Sequence, residues 1–177
     1  MTLVWHLVLA CQTPTNLIAN ALDTLLAHPT QLAELRADPD LMPGAVEELT
    51  RWSGPQLLTI TRYAREDVEF AGVPVEKGEP VTAAIVAANR DPRVFPDPDR
   101  LDLRRPTGPA GHLGYAHGPR FCLGAALARV ETETALTAVL RRFPALARAG
   151  EAHRVPDPGT WRLANLPITV AARTVIQ

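Results

Sequence analysis

Between Arg90 and Arg120 the chain carries neither the three-four spacing of a helix nor the alternation of a strand, and prolines and glycines recur throughout it. A connector of that length inside a compact domain is rarely neutral; it is either disordered or held by specific partners because it does something. Periodic segments bound it on both sides, so it predicts a long ordered loop fixed on a helical scaffold.

That scaffold is legible around it. Apolar residues at Leu3, Val4, Leu7, Val8, Cys11, Leu17, Ile18, Ala21, Leu22, Leu25 and Leu26 have the spacing of one long amphipathic helix, closed near His28-Pro29. Pro14 lies inside it, leaves the Ala10 carbonyl without its N–H partner, and predicts a kink. Thr30 is expected to cap a short helix to about Ala37. Leu41–Trp52 reads as the next helix, stopped by Ser53-Gly54-Pro55. Thr59–Thr61, Val68–Val75 and Pro80–Thr82 read as short strands with turns at Ala71-Gly72 and Glu76-Lys77-Gly78, and Ala83–Asn89 as one short helix. Helix resumes at Cys122 and runs to about Phe143, ahead of a Pro/Gly-rich tail with weak strand signals. The fold class is mainly α with a minor β-sheet.

Composition narrows the functions. A chain of 177 residues that is 46% hydrophobic can bury a core as a single domain, residues 1–177. The formal charge is −1 and no basic run occurs, which argues against nucleic acid and against a membrane surface. Lys77 is the sole lysine among many arginines, a bias of GC-rich bacterial genomes. Two distant cysteines do not make a disulfide scaffold, so a reducing cytoplasm is expected. Met1–Cys11 is apolar but lacks a basic flank and a cleavage pattern, and dissolves into polar residues too soon to span a bilayer.

The richest stretch is His112-Leu-Gly-Tyr-Ala-His-Gly-Pro-Arg-Phe-Cys122-Leu-Gly-Ala-Ala-Leu-Ala-Arg129. Gly111, Gly114, Gly118 and Pro119 build a tight loop that delivers Cys122 to the start of a helix. Unpaired backbone N–H groups and the macrodipole there favour negative charge, and a thiolate is the form of cysteine that binds metal. Gly124 lets a flat group approach the backbone, and Arg120 offers a cation to an anionic substituent of that group. Burying a thiol for its own sake needs none of this.

Tyr115-Ala-His-Gly-Pro-Arg-Phe-Cys-Leu-Gly124 resembles the haem loop of the cytochrome P450 family, Phe-Gly-x-Gly-x-(His/Arg)-x-Cys-x-Gly. Tyr115 and Ala116 depart from it; Tyr115 keeps an aromatic against the loop, and Ala116 is a mild change if its dihedral angles are ordinary. The resemblance implies haem b with Cys122 as axial thiolate, which pushes electron density onto iron. It also implies cofactor contacts from Arg120, Arg62, Gly124, Tyr115 and Gly118. Glu48-x-x-Arg51, three residues apart on one helix face, resembles the family's Glu-x-x-Arg, and the Pro-rich meander that follows places Arg100 as the third member of a buried ion-pair network. Ala10-Cys-Gln-Thr-Pro14 falls on the oxygen-binding motif. Thr13 then matches the alcohol that steers protons, while Gln12 occupies the place of an acid and cannot titrate near neutrality. Gln56, Leu57, Leu58 and Ile60, with Leu163 and Asn165 in the tail, are implied to line the substrate side.

The resemblance runs from the oxygen-binding helix to the end in the family's order, and so implies the C-terminal portion of the P450 fold, a truncated haem domain without its N-terminal half. The implied activity is monooxygenation: one oxygen atom from dioxygen enters a small-molecule substrate, with electrons from a ferredoxin-type donor. Two alternatives stand beside it: a non-catalytic remnant, and a haem-thiolate protein whose role is not hydroxylation, which Gln12 makes conceivable.

Overall fold

The computed structural model describes residues 3–106, 111–155, 157 and 159–170. Three helices make its centre: α1 (Leu3–Ala27), α3 (Met42–Ser53) and α5 (Ala125–Arg142), each packed on the other two. The short α2 (Pro29–Ala37) and a 3-10 turn at Pro39–Leu41 join the first pair. α1 runs unbroken through Pro14, which is buried. α2 starts at Pro29, not after a Thr30 cap: His28 is the N-cap residue and no side chain caps this end. Proline at the first helical position costs nothing, because its missing N–H would have had no partner there.

The core is aliphatic and spans sequence-distant elements. Ala21 and Leu25 of α1, Val46 and Leu49 of α3, and Leu136 and Leu140 of α5 interlock, joined by Leu32 and Leu35 from α2. The loop after residue 90 contributes Leu101 and Leu103, both buried. These two leucines alternate with Asp102, so the meander folds apolar side chains inward like a strand while having no strand partner.

Among the described residues the sheet content is small and its strand pairs are antiparallel. β1 (Arg62–Tyr63) pairs with β4 (Pro80–Val81), and β2 (Val68–Phe70) with β3 (Val73–Val75) across a turn in which Ala71 and Gly72 both have positive φ. The expected strand at Thr59–Thr61 lies just ahead of β1. It runs beside Thr82–Ala84 through the Thr59 N–H to the Ala83 carbonyl (2.9 Å) and a Thr61–Thr82 hydroxyl pair (3.0 Å). The helix expected over Ala83–Asn89 is a single turn, α4 (Ile85–Ala88). In the tail, β5 (Ala147–Arg148) pairs with β8 (Ile168–Thr169), and β6 (His153–Arg154) with β7 (Leu163–Asn165). No helix among the described residues is long and apolar enough to cross a membrane.

Candidate haem-thiolate site

α3 anchors the meander through one guanidinium. Arg51 is buried, and all five of its N–H donors are used. Nε and Nη2 fork onto the Glu48 carboxylate at 2.7 and 2.8 Å. Nη1 donates to the carbonyls of Asn89 (2.8 Å) and Pro98 (2.9 Å), and Nη2 also to that of Arg100 (3.4 Å). The third charged member is Arg105, not Arg100. Arg105 Nε stands 3.2 Å from the Glu48 carboxylate, and its Nη atoms hold the carbonyls of Pro96 (2.6 Å), Asp97 (3.1 Å) and Arg100 (2.8 Å). The Arg100 side chain is 67% exposed and meets only Asp102, at 3.5 Å. Its backbone does the structural work: with the Arg100 carbonyl taken by both guanidiniums, the side chain is turned away to solvent. Glu48 also accepts the Asp102 N–H (3.0 Å), so one buried carboxylate ties two arginines and the meander backbone to α3.

A second network holds the cysteine loop. Leu113–Tyr115 forms a 3-10 turn, and Gly118–Arg120 another. The Leu113 N–H donates to Asn89 Oδ1 (2.7 Å), which links the loop to the end of α4. Arg129, on the first turns of α5, forks onto Glu47 (2.6 and 3.0 Å) and stacks over the Tyr115 ring at 4.5 Å. His112 Nε2 lies 3.2 Å from the same carboxylate, while its Nδ1 accepts the Gly114 N–H at 3.0 Å. Burial works against the Glu47 charge, but the His112 and Arg129 hydrogen bonds outweigh it and bring its pKa down to about 2. Tyr115 is buried, and that burial pushes its hydroxyl above the ordinary value.

Ala116 is not a mild replacement. Its φ is 61° and its ψ −164°, in the region that is essentially reserved for glycine. The departure from the haem-loop pattern therefore costs backbone strain at the turn that redirects the chain towards Cys122. Gly118 takes a φ of 64° without penalty.

Cys122 itself sits ahead of the helix and not at its first residue. α5 begins at Ala125 with Gly124 as N-cap, and the Cys122 carbonyl accepts the Ala125 N–H at 3.2 Å. The reason is local: the Cys122 N–H is drawn back to the Tyr115 carbonyl (2.9 Å), and Phe121 before it is extended. The thiol is exposed, and a Cβ added at Gly124 would meet nothing nearer than its sulfur, at 4.0 Å. The backbone on that side is thus open to a flat group. Arg120, two residues before it, is exposed, as is Arg62 on β1. No carboxylate pairs with either among the described residues. An open sulfur, a glycine beside it and uncommitted guanidiniums fit an iron porphyrin with its two carboxylates.

The two segments expected to line the substrate side come together. The Trp161 N–H donates to the Pro55 carbonyl (2.7 Å) and the Leu57 N–H to the Gly159 carbonyl (3.1 Å), and Gln56 bridges Thr160. Leu58 and Ile60 are exposed, Gln56, Leu57 and Leu163 half-buried. Asn165 is exposed, and its side-chain oxygen accepts the His153 N–H at 3.2 Å. On α1, Thr13 is half-buried and Gln12 exposed, and the Thr15 hydroxyl donates to the Cys11 carbonyl (2.7 Å).

Sequence reading missed three sets of residues. Glu47 stands next to the Glu-x-x-Arg motif and Arg129 at the end of the cysteine stretch, but neither carries a spacing that announces a pairing 82 residues apart. Arg105 lies five residues past the one chosen. Asn20 and Asp23 of α1 tie down the tail. Asn20 donates to the carbonyls of Ser53 (3.1 Å) and Trp161 (2.6 Å), while Arg154 reaches Asp23 (3.2 Å), which Arg148 also pairs, and lies over the Trp161 ring at 4.0 Å. Polar residues on the inner face of an amphipathic helix were the available signal.

A helical scaffold built on a buried Glu-x-x-Arg pair, with an open cysteine in a glycine-bent loop, defines a class, and similarity to known proteins bears it out. The family model for cytochrome P450 matches residues 1–169. The chain is 46% identical over 165 residues to cytochrome P450 monooxygenase PikC of Streptomyces venezuelae, covering 92% of this chain and 39% of that protein. It is 43% identical over 159 residues to the biotin biosynthesis cytochrome P450 of Bacillus subtilis, covering 89% and 40%. Among solved structures, P450BioI in complex with hexadec-9Z-enoic acid ligated acyl carrier protein superimposes with a TM-score of 0.86 at 42% identity, over 90% of this chain and 41% of that one. The chain belongs to the cytochrome P450 family and has the fold of its C-terminal part. It spans about 40% of the length of the curated relatives it matches.

Proposed function

We propose that this chain is the haem-ligating portion of a haem-thiolate monooxygenase, with Cys122 as the axial ligand. The observation that carries the reading is the exposed Cys122 thiol, held in a loop pinned to α3 and α5, in a chain whose relatives are named monooxygenases and hydroxylases. When bound, haem b supplies the activation of dioxygen that no side chain provides. Cys122 would give the iron its thiolate, Gly118 and Gly124 would let the ring approach the backbone, Tyr115 would buttress the loop, and Arg62 and Arg120 would pair with the propionates. On the opposite side Thr13 would hold and pass protons. Gln12 can orient water by donating and accepting but cannot release a proton of its own.

The substrate is a small organic molecule, lined by Gln56, Leu57, Leu58, Ile60, Leu163 and Asn165, a mixed apolar and amide surface. Electrons would come from a ferredoxin-type protein, the donor that the resemblance implies. A cytoplasmic location and one domain over residues 1–177 belong to the same reading.

The test is spectroscopic. The reduced, carbon monoxide-treated protein is expected to show the far-red-shifted Soret band of thiolate ligation; Cys122→Ala should abolish it and Cys11→Ala should leave it. No haem uptake would support a non-catalytic remnant instead. A thiolate band without product in the presence of a reducing partner would support a non-hydroxylating role, the alternative that the amide at Gln12 favours.

A further inference from the structure

The family's haem-loop pattern begins at Tyr115, yet the chain is already committed three residues earlier. His112 uses both ring nitrogens. Because Nδ1 accepts the Gly114 N–H (3.0 Å), the neutral ring must carry its proton on Nε2, and that N–H donates to Glu47 Oε2 (3.2 Å). The first bond is the i to i+2 closure that asparagine or aspartate makes in a turn. The second ends on the carboxylate that Arg129 grips from α5. One imidazole therefore connects the loop's entry turn to α3 and, through Glu47, to α5.

The fit at this entry is tight. A Cβ at Gly114 would stand 2.5 Å from Thr50 Cγ2 on α3 and 3.0 Å from His112 Nδ1, so only glycine passes between helix and ring. The imidazole also leans on Tyr115, with ring centroids 5.6 Å apart, and the Tyr115 carbonyl is what receives the Cys122 N–H. Each step from His112 to the thiol is a short, defined contact: the turn at Gly114, the ring and carbonyl of Tyr115, the amide of Cys122. The Glu48–Arg51–Arg105 network holds the meander upstream and reaches the loop at Leu113, through Asn89, and not at Gly114, Tyr115 or Cys122.

We infer that His112 is the positioning residue of the cysteine loop, setting where Cys122 is presented by closing the turn at Gly114 with one nitrogen and handing it to the Glu47–Arg129 pair with the other. The inference rests on the haem-thiolate reading only for the meaning of that placement, because the geometry itself belongs to the polypeptide. Loss of the ring should free the loop while leaving the helical core intact, since the core's aliphatic side chains do not involve His112.

Site-resolved amide hydrogen exchange on the wild type, His112→Ala and His112→Asn tests it. His112→Ala should speed exchange at Gly114 and Cys122 by about tenfold or more, with the core amides of α1 unchanged. His112→Asn can rebuild the i+2 closure but is too short for Glu47, and should return Gly114 to within about twofold of wild type while Cys122 stays faster. Cys122 exchange unchanged in His112→Ala, or no recovery at Gly114 in His112→Asn, would overturn the inference. So would a uniform loss of protection in both variants, which marks a general structural role. If His112→Ala alone unfolds, His112→Asn decides by the same criterion. Failure of the haem reading shows separately, as a wild type without the far-red carbon monoxide band, and leaves the exchange comparison standing.

Discussion

The meander around Glu48 and the loop around Cys122 are both irregular, Pro- and Gly-rich and held to α3 by charge, yet they end in opposite states. At Glu48 the central ion pair is closed upon: Glu48 and Arg51 are 3% and 4% exposed, and each N–H of the Arg51 guanidinium has an acceptor. At Cys122 the anchoring groups are fixed, but the groups presented are open. The thiol is exposed, Arg62 and Arg120 are exposed, and Leu123 beside the sulfur is 99% exposed. The first region spends its polar chemistry on the fold; the second holds its chemistry outward on a backbone fixed elsewhere. Stability and function should therefore separate cleanly between them.

The largest expected effect is at the closed region. Glu48→Ala leaves Arg51 and Arg105 buried without a counter-charge and should cost about 3–5 kcal/mol, read as a drop in the denaturant midpoint. Arg105→Ala should cost about 2–3 kcal/mol, whereas Arg100→Ala should stay within about 0.5 kcal/mol, because an exposed arginine facing one aspartate contributes little. Equal losses at 100 and 105 would break the assignment of the third charged partner. At the loop, Ala116→Gly should raise stability by about 1–2 kcal/mol by relieving the positive φ, measured by thermal unfolding. No gain there would mean that the turn relaxes in solution.

Acid should act on the loop anchor through Glu47. Its carboxyl is depressed from 4.5 to about 2, so the stabilisation it brings is fully present above pH 4.5 and is lost as the pH falls through that interval towards 2. Glu47→Gln should flatten this limb of the stability curve. The smallest effect is expected at the presented groups. Cys122→Ser and Leu123→Ser should each change stability by less than about 0.5 kcal/mol, while Cys122→Ser removes the thiolate band. A large stability loss at either position would contradict the separation.

How much of this could be read beforehand follows from the range of the interactions. Glu48 and Arg51 are neighbours on one helix turn, and Tyr115 to Gly124 is a contiguous motif, so both stood out in the sequence. The hairpin at Val68–Val75 was visible for the same reason, through its turn residues. Arg100 matches the family's meander arginine by position, but position in a meander says nothing of which side chain turns inward, and Arg105 is the one that does. Ala116 is mild only with ordinary dihedral angles, and a residue's name does not disclose its φ, which is 61° here. Thr30 lies inside α2 and caps nothing, because Pro29 opens the helix one residue earlier with His28 as its N-cap residue.

Alone, the sequence settled what local patterns can settle: three principal helices, the family, a cysteine delivered by a glycine-bent loop and the pairing within Glu-x-x-Arg. The tertiary structure decided the partners that lie far apart along the chain, namely Arg105 on Glu48, Arg129 and His112 on Glu47, and Asn20 and Asp23 against the tail. The physical reason is that hydrogen bonds and ion pairs act over a few ångströms, and only packing of the aliphatic core fixes which distant side chains come within that reach.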